Sequence, residues 1–134
     1  PVEKPKPAEK APVKPFRYYF GYNAKQISAS DLNYIQFIEG VAANGKQGFK
    51  LVVVIEASSS KVPTKTYGTN SALAQQRGLT AKTIILQSLI DMGVEEKNVD
   101  FKINPLVQGP AYNSDAVNNK STYEKYQYVF ISLK

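Results

Sequence analysis

Along the chain the apolar positions change period, from that of a strand to that of a helix and back. Residues 16–23, FRYYFGYN, are aromatic-rich and read as a strand. SASDLNYIQFIEGVAANG (28–45) reads as a helix with Leu32, Ile35, Ile38 and Ala42 on one face. Ser28 or Ser30 is its expected N-cap, Asp31 sits favourably at the positive helix end, and Asn44-Gly45 is the expected stop. FKLVVVIEA (49–57) is almost continuously apolar, the pattern of a central strand covered on both faces.

After the polar loop SSSKVPTKTYGTN (58–70), a long helix is expected from about Asn70 to Met92, with Gly93 as its stop. Leu73, Ile84, Ile85, Leu89 and Met92 are its core candidates. VDFKINPLV (99–107) alternates as a third strand. QGPAYNSDAVNNKS (108–121) is rich in Asn, Gly and Pro and is assigned no helix. YEKYQYVFISLK (123–134) is apolar on both faces and is expected inside the sheet rather than at its edge.

The order β-α-β-α-β-β implies parallel pairing through right-handed crossovers, with the last strand free to insert antiparallel. The expected fold class is α/β (α+β): a two-layer sandwich with both helices on one face of a mixed sheet.

Composition adds an organisation to this picture. Residues 1–15, PVEKPKPAEKAPVKP, are low in complexity and read as a semi-rigid spacer, leaving 16–134 as the folded domain. The chain opens on Pro1, so the reading expects a fragment of something longer, with membrane contact only through a region outside it. The net charge of +6 over 134 residues is a weak bias toward anions. No basic run interleaves with aromatics, so no nucleic-acid partner is expected; Tyr18, Phe20 and Tyr22, like Tyr126, Tyr128 and Phe130, read as packing residues.

Candidate chemistry is sparse. Without Cys or His the chain has no thiol nucleophile, no imidazole base and no soft metal site. Its acids lack metal-loop spacing, and neither a Walker loop nor G-x-G-x-x-G occurs. Ser58, Ser59, Ser60 and Lys61 are adjacent loop residues rather than a catalytic dyad. No enzyme activity and no cofactor are expected.

A resemblance carries further. FGYNAKQI (20–27), the tract Asn70, Leu73, Ala74, Arg77, Gly78, and LQSLIDMGV (86–94) together resemble the OmpA-like C-terminal domain, over about residues 18–133. Membership implies non-covalent binding of peptidoglycan on the periplasmic side of the bacterial outer membrane, with other envelope proteins as further partners. In that family a helix arginine takes the carboxylate of the peptide-stem diaminopimelate, an Asp in Gly-x-Thr-Asp takes its ammonium, and asparagines hold the ligand. The resemblance therefore implies Arg77, Asn70 and Asn23 as ligand-binding residues. At the Asp position this chain has EASSSK, which places Ser58, Ser59 or Ser60 there, with Ser59 the candidate. The family's closing Asn-Arg-Arg-Val is replaced by YQYV (126–129). The implied site is thus degenerate; the alternative is an OmpA-like module of an envelope complex without peptidoglycan binding.

Overall fold

The computed structural model describes residues 10–114 and 120–134. Its elements are β1 (Phe16–Tyr19), α1 (Leu32–Lys46), β2 (Leu51–Ser59), α2 (Asn70–Asp91), β3 (Val99–Val107), α3 (Lys120–Glu124) and β4 (Tyr128–Leu133), with a single 3-10 turn at Glu96–Asn98. The four strands form one sheet in the order β1-β4-β2-β3. β2 and β3 run parallel, joined through α2, and β4 lies antiparallel between β1 and β2. The expected mixed α+β sandwich is the fold found, with the closing strand inside the sheet.

Register assigns the two faces. Leu51, Val53, Ile55 and Ala57 of β2 are buried beneath the helices, beside Val129 and Ile131 of β4. Val52, Val54 and Glu56 point the other way and are only half-buried. β2 is therefore not covered on both faces, as its apolar run suggests; β4 and β3 flank the two valines on its open side.

α1 departs from its expected boundaries at both ends. Its N-cap is Asp31, whose Oδ1 accepts from the Tyr34 amide at 3.0 Å, while Ser28 and Ser30 bond to each other through their hydroxyls. The helix runs past Asn44-Gly45 to Lys46, and the chain turns out at Gly48 with φ +90. Its buried face is Tyr34, Phe37, Ile38, Val41 and Ala42; Leu32, at the first turn, is 75% exposed. Tyr34 and Phe37, adjacent to the expected row, have large rings that reach Phe16 and turn the helix toward them.

α2 starts at the expected Asn70, capped by the Thr69 hydroxyl on the Ala72 amide. Leu73, Ile85 and Leu89 are fully buried, and Ile84 and Met92 pack on the core's margin. It ends in a Schellman motif: Gly93, at φ +95, donates to the Ile90 carbonyl and Val94 to that of Leu89. β1 stops at Tyr19, four residues short of Asn23, because Gly21 and Asn23 form a turn in which Asn23 takes φ 57. Tyr22 accordingly leaves the face of Tyr18 and Phe20, and its hydroxyl donates to the Pro63 carbonyl. The closing segment begins not as strand but as α3, a short helix where none was assigned; β4 starts only at Tyr128.

Of the expected spacer, residues 1–9 lie outside the described residues, and within residues 10–15 Ala11 and Val13 contact α1.

Candidate functional site

The carboxyl end of β2 faces the first turns of α2, and Arg77 points into the angle between them. Two buried positions, Leu73 and Ala74, precede Arg77 by one turn, so the same helical face that enters the core carries the guanidinium inward. Gly78 beside it lets the helix close on the sheet: an added Cβ there would lie 2.5 Å from Ile103 Cγ2 and 3.4 Å from Ala57 Cβ.

Arg77 is 0% exposed and takes part in no salt bridge among the described residues. Its Nε donates to the Ala24 carbonyl at 2.8 Å and its Nη1 to the Ser58 carbonyl at 3.1 Å. Its Nη2 donates to the Gly21 carbonyl at 3.3 Å and to Gln127 Oε1 at 2.8 Å. These bonds engage four of the five N–H groups a guanidinium carries. The Phe20 ring lies 4.9 Å below the guanidinium carbon. Burial pushes the Arg77 pKa down to about 10, slightly opposed by Tyr67. The group therefore stays cationic at neutral pH. It joins the loop after β1, the end of β2 and the start of β4, with partial negative charges of carbonyls in place of an acid.

The other implied residues fall close by. Ser59 is fully buried, and its hydroxyl donates to the Asn70 carbonyl at 2.7 Å, tying the end of β2 to the start of α2. Asn70 is half-buried at the first position of α2. Asn23 Oδ1 accepts from the Thr64 hydroxyl at 2.7 Å, and its carbonyl accepts from the Tyr67 hydroxyl at 3.3 Å. Asn23 thus stitches the loop after β1 to the loop after β2, one residue from the Ala24 carbonyl that Arg77 holds.

Gln127 and Ser58 were not singled out from the sequence as Arg77 partners. Gln127 is 3% exposed between Tyr126 and Tyr128, and a lone amide at the mouth of a buried strand is its one sequence signal. Glu56, the acid nearest in sequence to the serines, lies on the open sheet face and accepts from the Tyr128 hydroxyl at 3.1 Å. It has no access to Arg77, which lies across the sheet. Beside Gln127 opens a cleft of about 430 Å³ lined by Tyr22, Val62, Tyr112, Tyr123, Lys120 and Glu124. The described residues hold no cluster of His, Cys, Asp or Glu able to bind a metal, and no helix among them is long and apolar enough to cross a membrane.

No protein-family model matches the sequence, and no curated protein matches it. Solved structures match in fold at low identity. One is the peptidoglycan-associated lipoprotein from Burkholderia pseudomallei: 14% identity, 88% of this chain and 89% of that one covered, TM-score 0.56. The cell wall anchor of the T6SS from Pseudomonas aeruginosa matches at 14% identity, covering 89% and 79%, with a TM-score of 0.54. A putative MotB-like protein from Desulfovibrio vulgaris matches at 11%, covering 90% and 74%, with a TM-score of 0.52. In its fold the chain is OmpA-like.

Proposed function

We propose that the chain is a non-catalytic domain of the bacterial envelope that associates with peptidoglycan from the periplasmic side of the outer membrane. The observation that carries this reading is Arg77, held on the OmpA-like fold where the loop after β1, the end of β2 and the start of β4 meet, with its partner Gln127 lining a cleft of about 430 Å³. A peptide-stem diaminopimelate would place its carboxylate on the Arg77 fork, with Asn23, Asn70 and Ser59 around it.

The fork is closed by its own chain. Among the described residues Gln127 is the one side chain that accepts from Arg77, so its amide is the group that a carboxylate displaces. Ser59 offers a hydroxyl rather than a carboxylate to the ligand's ammonium, and that hydroxyl already serves the Asn70 carbonyl. A charge-assisted bond of roughly 1.5–3 kcal/mol is therefore missing on that side. The same closure supports a second reading, in which the fold serves as an interaction module without stem binding.

Sedimentation with purified sacculi, in competition with diaminopimelate-containing muropeptide, separates the two. The first reading expects the protein in the pellet and its release by muropeptide. Protein that stays in the supernatant defeats the first reading and leaves the second.

A further inference from the structure

The residues just before β1 pack as part of the domain. Asn44 is 0% exposed on α1, and its Oδ1 accepts from the Ala11 amide at 2.7 Å. Its Nδ2 donates to the Ala11 carbonyl at 3.0 Å and to the Gly40 carbonyl at 3.1 Å. The amide side chain thus pairs with both polar groups of one strap residue, as a neighbouring strand would. One turn earlier Gly40 leaves a notch: an added Cβ would lie 3.2 and 3.3 Å from the two Val13 methyls. Val13 fills that notch and packs on the core cluster. Lys10 Nζ completes the contact by donating to the Lys134 carbonyl at 2.8 Å. Pro12 and Pro15 already favour an extended chain, so less conformational freedom is lost on docking.

Sheet register places this contact. The Lys134 amide donates to the Val52 carbonyl near the start of β2, whereas Arg77 bonds the Ser58 carbonyl near its end. At about 3.3 Å per residue the two lie roughly 20 Å apart along the strand. We propose that residues 10–15 are a docked strap, locked by Asn44 and the Val13–Gly40 fit, that fixes where the chain enters the domain at the end of the sheet remote from Arg77. A tether leading into such a strap pulls on α1 and leaves the Arg77 end facing away from it. This holds whether or not the Arg77 end binds a ligand.

Amide hydrogen exchange of the full 134-residue chain, followed residue by residue, tests it. The Ala11 amide is expected to exchange at least about tenfold more slowly than an unstructured one. Val13→Asp, which places a carboxylate in the apolar notch, should return that amide to the unstructured rate while β4 amides stay protected. Wild-type Ala11 exchanging at the unstructured rate overturns the proposal, as does protection that survives Val13→Asp. The wild-type measurement decides alone if that variant fails to fold.

Discussion

Gly78 and Ile103 share one space: a methyl group on the glycine would sit 2.5 Å from the isoleucine's Cγ2. Alanine at a helix interior normally gains about 1 kcal/mol over glycine. Here the contact reverses the sign, and Gly78→Ala should destabilise by about 1–3 kcal/mol in urea titration. In an Ile103→Ala background the same change should become neutral or stabilising. Additive effects of the two substitutions would refute the contact as the cause.

Arg77 and Gln127 offer a second, sharper test. Arg77→Lys keeps the charge but cannot span acceptors on separate segments, so a loss of about 2–3 kcal/mol is expected. Gln127→Leu should lose about 1–3 kcal/mol by removing an acceptor from a buried cation. Gln127→Glu should instead retain or raise stability at neutral pH. The introduced carboxylate beside Arg77 would have a depressed folded pKa, so its contribution is present above the unfolded value of about 4.3 and lost as pH falls. Stability curves of the two Gln127 variants that run parallel from pH 7 to pH 3 would contradict this.

The Tyr34 hydroxyl links the two helices, bonding Ser88 Oγ at 2.7 Å and donating to the Ile84 carbonyl at 3.2 Å. Burial raises its pKa above the ordinary 10.0, and the Ser88 bond opposes this in part. The folded state therefore holds its proton longer than the unfolded one. Its contribution is complete below pH 10 and declines as pH rises through the folded value. Tyr34→Phe should lose about 1 kcal/mol at pH 7 and fall less steeply above pH 10. An unchanged alkaline slope would count against it.

Asn23 combines a left-handed backbone, φ 57, with side-chain bonds to Thr64 and Thr66. Asn23→Gly keeps the backbone and removes the bonds, whereas Asn23→Ala strains the backbone as well. The alanine variant should be the less stable by about 1 kcal/mol in thermal melts. Equal melting temperatures would argue that the turn is not held in this conformation.

Much of the fold was legible because its signals are local. The alternation of 99–107 marks β3, and the two-sided apolarity of the closing segment puts β4 inside the sheet. Arg77 and Gly78 are legible through the resemblance of their tract to the OmpA-like domain. What Arg77 touches was not legible: its acceptors are mostly backbone carbonyls, which carry no residue identity, brought together by loops from distant parts of the chain. Asn44 misled for a related reason. Asn-Gly reads as a helix stop, but the Asn44 amide is matched by Ala11, a partner 33 residues away in a stretch that reads as spacer. Leu32 misled because apolar spacing on α1 fits two adjacent faces, and only the reach of the Tyr34 and Phe37 rings selects between them.

The strand order also governs how this domain meets copies of itself. With β4 and β2 inside, the edges are β1, four residues long and carrying Arg17, and β3, which contains Pro105 and bears Asp100 and Lys102. Neither presents a long, uncharged ladder of free amides. The sheet's most apolar strands, those best suited to templating an aggregate, are sealed between partners, so crowding such domains together does not invite edge-to-edge polymerisation.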